Sequence, residues 1–188
     1  MRKVLVTEFV SLDGVMEDPA WTMPFFNDEY MRFKLAELQA VDAHLLGRVT
    51  YEGFAAAWPG RTDEQGFADR MNTLPKYVVS TTLRELSWNN SHLLGPDLAA
   101  EITALKAQPG QDILVAGSAQ LVQTLMKLNL IDEYRLMTFP VVLGSGKRLF
   151  QEGSQATLHL VDSVRFSNGV LVHTYRPALQ QATPEPGS

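Results

Sequence analysis

The amino-acid sequence predicts an α/β protein in which a mixed β-sheet is covered by helices and closed by an antiparallel part. Up to residue 128, short apolar segments rich in β-branched residues alternate with segments of helical periodicity, which is typical of strands joined by helices. After residue 133, strand-like segments follow one another, and Ser167-Asn168-Gly169 is a hairpin signal between the last two. A chain of 188 residues fits one domain of this kind.

The predicted strands are apolar, β-branched and bounded by turn-forming residues. The first is the clearest, because the sequence SLDG at 11–14 ends it as a turn would. The strands are predicted at 3–10, 43–47, 76–81, 112–117, 133–144, 156–166 and 170–177.

The predicted helices carry apolar residues at helical spacing and begin or end at recognisable signals. Asn27 is expected to cap the first helix and Asp97 the fourth, which Pro109-Gly110 ends. The helices are predicted at 27–39, 50–58, 67–72, 97–110 and 118–128. The folded domain is therefore expected to span 1–177, and the polar, proline-rich segment 178–188 is expected to be a disordered tail.

The amino-acid composition argues against several kinds of binding partner and several kinds of catalytic or metal site. A net charge of −5 argues against a nucleic-acid or anionic-membrane binder, which would need a basic surface. The absence of cysteine excludes disulfides, cysteine-ligated zinc and thiol catalysis. The N-terminus lacks the apolar length of a signal peptide, and no segment approaches the ~20 apolar residues of a membrane span. We therefore expect a cytoplasmic protein with neither a nucleic-acid nor a membrane partner.

Three predicted strands end in residues that suit a bound anion. Ligands of open α/β sheets bind beyond the carboxyl ends of the strands, where helices begin and their free N–H groups favour phosphate. At the first such end, Gly47 lets a ligand approach the backbone, Arg48 offers a fork of donors, and Thr50 is expected to begin the helix. The other two ends are Ser80-Thr81 and Gly117-Ser118.

Each of these motifs also has a purely structural explanation. Gly47 can simply end a strand, Arg48 can be a solvated charge and Thr50 a helix cap, and for that stretch alone this explanation is the better one. Recurrence at three strand ends favours instead one elongated polyanion, for which a dinucleotide is the natural candidate. The fingerprint G-x-G-x-x-G is absent, so an ordinary Rossmann site is not predicted.

Five segments, in this order and spacing, resemble the dihydrofolate reductase superfamily. The resemblance is closer to the branch that contains the reductase domain of the bifunctional riboflavin-biosynthesis deaminase-reductase. It extends from Lys3 to Arg176 and implies a single-domain, three-layer dihydrofolate reductase-like fold that uses NADPH. The segments are FVSLDGVME (9–17), LLGRVTYEGF (45–54), YVVST (77–81), ILVAGSAQLVQTLM (113–126) and FPVVLGSGKRLF (139–150).

The resemblance also implies which residues hold the cofactor. The glycine-arginine-x-threonine motif would serve the phosphates, the hydroxyl pair would lie near the adenosine 2′-phosphate, and the third turn would lie beneath the pyrophosphate. Ser118 stands where relatives often have a second glycine; a serine can also donate to phosphate. The implied residues are Gly47, Arg48 and Thr50, then Ser80 and Thr81, then Gly117, Ser118, Ala119 and Gln120.

Two carboxylates are candidates for protonating the substrate. Asp13 matches the aspartate of the riboflavin-type branch, although an Asp-Gly pair is equally typical of a structural turn. The stretch 20–33 resembles the tryptophan-x-x-proline-x-acid segment of dihydrofolate reductase, but Phe26 occupies the acid's position and the nearest acid is Asp28. Two residues turn a helical side chain by about 200°, which weakens the folate interpretation.

The substrate side is expected to use an aromatic ring and two cations. Trp21 is a candidate for stacking on a flat heterocycle, although aromatic clusters more often fill a core. Lys147 and Arg148 are candidates for a substrate phosphate, and a solvated loop charge is the equally plausible alternative.

Other chemistries find no support in the sequence. The four histidines lack metal-ligand spacing, and neither the nucleophile motif G-x-S-x-G nor the zinc-deaminase signature occurs, so no metal is expected. The resemblance then implies a stand-alone NADPH-dependent reductase of a small polar heterocycle, of the 5-amino-6-(5-phosphoribosylamino)uracil reductase type. A dihydrofolate reductase and a non-catalytic NADPH-binding module are the alternatives.

The β-rich C-terminal end predicts the oligomeric state. Apolar residues alternate along 156–166 and 170–177. The resemblance to the riboflavin-type branch implies a dimer that forms through this half of the sheet. We expect a homodimer; the alternative is a monomer whose C-terminal hairpin completes its own sheet.

Overall fold

A computed structural model describes residues 1–178, and the rest of the expected tail lies outside the described residues. Eight strands form one sheet: β1 (Val4–Val10), β2 (Val41–Gly47), β3 (Lys76–Val79), β4 (Ser91–Leu93), β5 (Asp112–Ala116), β6 (Glu133–Thr138), β7 (Leu158–Arg165) and β8 (Leu171–Pro177). The helices are α1 (Asp28–Gln39), α2 (Arg48–Ala57), α3 (Phe67–Thr73), α4 (Leu98–Ala107) and α5 (Ala119–Lys127), and a 3-10 helix covers Pro19–Phe25.

The sheet is mixed, as predicted. Its order is β4-β3-β2-β5-β1-β6-β8-β7. The first six strands in this order run parallel, whereas β8 is antiparallel to β6 and to β7. Because β5 is inserted between β1 and β2, the carboxyl ends of these three strands lie side by side, where an open α/β sheet forms its ligand crevice.

Helices cover both faces, which confirms the three-layer architecture. On one face, Val6 of β1 lies in a buried cluster with Ile102 of α4 and Leu125 of α5. On the other, Leu5 lies in a cluster with Leu38 of α1 and Met71 of α3. Successive residues of a strand point to opposite faces, so the central strands are apolar on both sides.

Capping and turn residues predicted several boundaries of helices and strands correctly. Asn27 caps α1 by accepting a hydrogen bond from Tyr30 N at 2.9 Å, and Asp97 caps α4 by accepting from Ala100 N at 3.1 Å. The hairpin between β7 and β8 is closed by Phe166 N donating to Val170 O at 2.9 Å. The structure also differs from the predictions: β4 and the 3-10 helix Pro19–Phe25 were missed, and β6 ends at Thr138 instead of 144, shortly before a proline that has no N–H to donate.

One polar side chain in the core has no evident partner. His44 of β2 is 1% exposed, and among the described residues neither ring nitrogen has a hydrogen-bond partner. Burial, together with the positive charge of Lys76 on the paired strand, lowers the pKa of His44 to about 3. The imidazole is therefore neutral at pH 7 and contributes unsatisfied polar atoms to the core.

Replacing His44 by leucine is expected to stabilise the protein. Removing buried unsatisfied groups of this kind relieves about 1–3 kcal/mol, so the Tm at pH 7 should rise by about 2–12 °C. Because the pKa is lowered from 6.5 to about 3, the unfolded chain binds more protons between these values, and the wild type loses stability as the pH falls through them. Calorimetry of both proteins at pH 7 and pH 4 measures each effect; a variant less stable at pH 7 would contradict the expectation.

Among residues 1–178, no helix is long and apolar enough to cross a membrane, and no cluster of three or more potential metal ligands occurs.

Candidate functional site

Two of the predicted strand-end motifs are in direct contact. A Cβ atom placed on Gly47 would lie 2.6 Å from Ser118 Oγ, and one placed on Gly117 would lie 2.9 Å from Thr50 Oγ1. The turn between β2 and α2 therefore packs against the turn between β5 and α5, and both glycines are needed for this closeness. The N-termini of α2 and α5 therefore lie next to each other.

The turn after β5 has an unusual backbone. Gly117 has φ +69°, in the left-handed region that favours glycine, and the Gly117-Ser118 peptide bond is cis. Ser118 is the N-cap of α5, but its side chain makes no capping hydrogen bond. The Ala119 side chain is buried and Gln120 is exposed, so Ala119 offers a ligand only its backbone. Ser118 thus keeps its hydroxyl for another acceptor.

The prediction that Thr50 begins the second helix is wrong. The helix begins at Arg48, with Gly47 as its N-cap in an extended conformation, because glycine lets the chain pass from strand to helix without a capping side chain. Thr50 is the third helical residue, and its hydroxyl lies against Gly117. Arg48 is half-exposed and forms an ion pair with Glu52 one turn later, at 2.9 Å.

The hydroxyl pair lies at the same edge of the sheet. Gly47 of β2 pairs with Val79 of β3, so Ser80 follows β3 at the level where Arg48 follows β2. Ser80 Oγ accepts hydrogen bonds from Thr82 N at 3.1 Å and Leu83 N at 3.0 Å, which orders the turn. Thr81 is exposed. All three predicted motifs are therefore at the carboxyl edge.

A carboxyl group that the sequence analysis missed lies beneath this site. Glu8 of β1 is 6% exposed and accepts a hydrogen bond from Gly117 N at 2.9 Å. Burial raises the pKa of Glu8 to about 8, against the opposing effects of this hydrogen bond and of Lys34. The signal in the sequence is an acidic residue within an otherwise apolar, β-branched strand.

Asp13 has the structural role that its Asp-Gly sequence allows. Its carboxylate accepts hydrogen bonds from Ser11 Oγ at 2.7 Å, Leu143 N at 3.1 Å and Gly144 N at 2.8 Å. These bonds lower the pKa of Asp13 to about 2, so the group is ionised at neutral pH and is a poor proton donor. Asp13 joins the two segments, 9–17 and 139–150, that carry the resemblance at the ends of the chain.

The three residues predicted for the substrate side differ in their surroundings. Arg148 Nε donates to Asp13 O at 2.9 Å, whereas Lys147 is largely exposed and pairs with Glu17 at 3.1 Å. Trp21 packs edge-on against Phe139 with ring centroids 5.5 Å apart, which favours the core interpretation of this ring. The structure therefore brings the Asp13 turn together with the two cations.

Asp28 is exposed at the first position of α1. Within the described part of the chain, its side chain makes no hydrogen bond to the turns after β2 and β5. The structure does not bring this acid into contact with the cofactor motifs.

An open cavity of about 1250 Å³ lies elsewhere, beside the amino end of β6. Its lining includes Met126, Tyr134 and Leu158 and none of the strand-end motifs. We place the candidate site at the carboxyl edge because the N-termini of α2 and α5 and the predicted hydroxyl and guanidinium residues are there.

Comparison with known proteins gives a consistent assignment. The family model of the RibD C-terminal domain matches residues 2–172. The Bacillus subtilis (strain 168) protein YyaP is 32% identical over 179 residues, which cover 93% of this chain and 94% of YyaP.

Solved structures share the fold. The Thermotoga maritima diaminohydroxyphosphoribosylaminopyrimidine deaminase/5-amino-6-(5-phosphoribosylamino)uracil reductase superposes with a TM-score of 0.64 at 16% identity, covering 94% of this chain and 57% of that one. Dihydrofolate reductase from Enterococcus faecalis, complexed with NADP(H), superposes with a TM-score of 0.63 at 14% identity, covering 93% and 96%. The dihydrofolate reductase-like fold predicted from the sequence is confirmed.

Proposed function

This chain belongs to the RibD C-terminal domain family, and from that premise we propose that it is an NADPH-dependent reductase of a small polar heterocycle of the riboflavin-pathway type. The observation that carries the proposal is the contact between the Gly47–Thr50 turn and the Gly117–Ser118 turn. This contact places the N-termini of two helices side by side. Unpaired N–H groups and partial positive charge make such a junction a site for a pyrophosphate.

The choice of NADPH over NADH rests on the groups beside that junction. Arg48 is half-exposed, Thr81 is exposed, and Ser80 lies at the level of Arg48 on the neighbouring strand. A guanidinium and two hydroxyls provide charge-assisted donors for the adenosine 2′-phosphate. The structural alternative for Arg48 is its ion pair with Glu52, which is exposed and therefore weak.

The substrate we propose is 5-amino-6-(5-phosphoribosylamino)uracil or a close relative. The Thermotoga maritima protein with the same fold carries the name of that reductase activity. Lys147, which is largely exposed, and Arg148 are positioned beside the Asp13 turn and would meet the substrate phosphate. NADPH supplies a hydride to an electron-poor C=O or C=N carbon, and the protein contributes orientation and electrostatics.

A proton must accompany the hydride. Asp13 uses its ionised carboxylate to hold the 139–150 segment through the amides of Leu143 and Gly144. The proton then reaches the substrate from water, because Asp28 is exposed at the start of α1 and, among the described residues, makes no hydrogen bond to the turns after β2 and β5.

Two assays on purified protein test the function together. NADPH should raise the Tm, and it should be oxidised when the aminouracil phosphate is added, with a kcat on the order of 1–10³ s⁻¹. Dihydrofolate is the matched control substrate and should be turned over weakly or not at all, because the acid near Pro24 is displaced to Asp28. Binding without oxidation of NADPH by any of a panel of metabolites would favour the non-catalytic module, and absence of binding would contradict the proposal.

We also propose that the protein is a homodimer. β7 forms one edge of the sheet, and all of its residues after Leu158 are exposed, including the apolar Leu160, Val161 and Val164. An exposed apolar edge strand is a surface on which a second chain can pair or pack.

Light scattering at micromolar concentration should give twice the chain mass of 20.9 kDa. Val161→Lys should yield the single-chain mass, since it places a charge in the proposed interface. Leu93→Lys is the control, because Leu93 is an exposed apolar residue on the opposite edge strand. A wild-type mass of one chain would exclude the dimer.

A further inference from the structure

Glu8 has no role in the cofactor interactions described above, yet it is the carboxyl group in direct contact with the turn beneath the pyrophosphate. Its Oε1 accepts from Gly117 N, the amide that begins the turn between β5 and α5. Glu8 Oε2 takes part in no hydrogen bond of the described residues, and it is not among their buried unpartnered polar atoms. This second oxygen therefore keeps a small contact with solvent.

The surroundings of Glu8 favour its neutral form. The residue is 6% exposed, and within residues 1–178 it forms no ion pair. A carboxylate buried with one amide donor and no cation in contact is costly, so the group takes up a proton instead. The pKa of about 8 that burial produces agrees with this geometry.

The groups that face Glu8 do not supply a compensating charge. On the flanking strands, Leu136 of β6 is its register partner, and the Gly117 amide lies on the β5 side. The charges that act on it come from α1: Lys34 lowers the pKa of Glu8 and Glu37 raises it. Lys34 is itself ion-paired with Glu37, so its charge is already balanced.

We propose that Glu8 is a positioning residue of the cofactor site: its protonated carboxyl holds the Gly117–Ser118 turn, and the nicotinamide dinucleotide binds only while Glu8 is uncharged. The inference rests on the NADPH site proposed above. An ionised Glu8 would place a negative charge directly beneath the turn that receives the pyrophosphate, and the two would repel in a poorly solvated setting. Cofactor binding and the proton on Glu8 are therefore coupled, and by linkage the cofactor raises the pKa of Glu8.

The sign of the pH dependence follows from this coupling. Below the pKa of the free protein, about 8, Glu8 is neutral and binding is undisturbed. Above it, the proton must be taken up again when the dinucleotide binds, so the apparent affinity falls. The 2′-phosphate has a second pKa of about 6, as phosphate monoesters do, so it is about nine-tenths ionised at pH 7 and its charge changes little above that pH.

Titration of wild type and Glu8→Gln with NADPH, from about pH 7 to about pH 9.5, measures the coupling. The wild-type Kd should rise roughly thirty-fold across this range, whereas Glu8→Gln, an uncharged isostere, should bind with a nearly constant Kd. Lys76, whose pKa is also lowered to about 8, lies at the amino end of β3 and titrates identically in both proteins. Glu64→Gln, which removes a charge from an exposed loop, should keep the wild-type profile.

Each outcome separates the two proposals. If neither protein binds NADPH at pH 7, the proposed function fails. If NADPH binds with a pH-independent Kd in the wild type, or if Glu8→Gln keeps the wild-type pH profile, the function stands and the role of Glu8 is overturned. Carbon-13 NMR of the Glu8 carboxyl in the wild type needs no variant to fold: a midpoint near 8 that moves upward with NADPH supports the proposal, and a midpoint near the ordinary 4.5 contradicts it.

Discussion

Replacing Arg48 by alanine is expected to weaken NADPH binding by roughly ten- to a hundred-fold and to leave NADH binding almost unchanged. A hydrogen bond to a charged group contributes about 1.5–3 kcal/mol, and each 1.4 kcal/mol corresponds to a factor of about ten in Kd. NADH lacks the 2′-phosphate that the guanidinium would contact. Because Arg48 is half-exposed and, within residues 1–178, pairs only with exposed Glu52, the variant should keep the wild-type Tm.

The ion pair of Arg48 provides its own control. Glu52→Gln keeps the guanidinium and removes the carboxylate that competes for it at 2.9 Å. This variant should bind NADPH as well as the wild type or slightly better, since an exposed pair is worth only about 0–1 kcal/mol. Fluorescence titration of the three proteins with each cofactor decides the matter. Equal losses for NADPH and NADH, or none for either, would make Arg48 only a solvated charge.

Gly47→Val should impair both cofactors, by at least an order of magnitude in Kd. A Cβ on Gly47 would lie 2.6 Å from Ser118 Oγ and 3.5 Å from Leu121 Cβ, so the branched side chain would push the two turns apart and fill the space above them. The backbone of Gly47 is extended, with φ −75°, so the effect is steric. Unlike the loss at Arg48, this loss should not distinguish NADPH from NADH.

Gly53→Ala is the matched control for Gly47→Val. Gly53 lies in the same helix, α2, and a Cβ there would meet nothing within 4 Å. Alanine has a higher helix propensity than glycine, so this variant should bind both cofactors normally and gain slightly in stability. Wild-type affinity of Gly47→Val for both cofactors would show that the junction of the two turns is not where the dinucleotide binds.

Much of the fold was predictable because its determinants are local. The strands β1, β2, β3 and β5 and the caps Asn27 and Asp97 follow from apolar patterning and side-chain chemistry within a few residues. β4 was not predictable in this way, since three residues are too few for a recognisable pattern. Its extended conformation depends on its pairing with β3. The start of α2 was misplaced because the threonine suggested a cap that the bare glycine makes unnecessary.

The placement of the candidate residues was predictable only where those residues directly follow strands. The motifs at the ends of β2, β3 and β5 converge because parallel neighbouring strands end at one edge. The role of Asp13 depends on Leu143 and Gly144, which lie about 130 residues away in the chain, so no local spacing distinguishes a catalytic acid from a structural one. The sequence marks Glu8 only as an acidic residue within an apolar strand, and its contact with Gly117, at the end of another strand, is seen only in the structure.

A crystal structure of the protein bound to NADP⁺ tests the central claim most directly. The account predicts the pyrophosphate over the Gly117–Ser118 turn, at the N-terminus of α5, and the 2′-phosphate within hydrogen-bonding distance of Arg48 and Thr81. A dinucleotide bound elsewhere, such as in the cavity beside the amino end of β6, or one that makes no contact with either turn, would contradict the account.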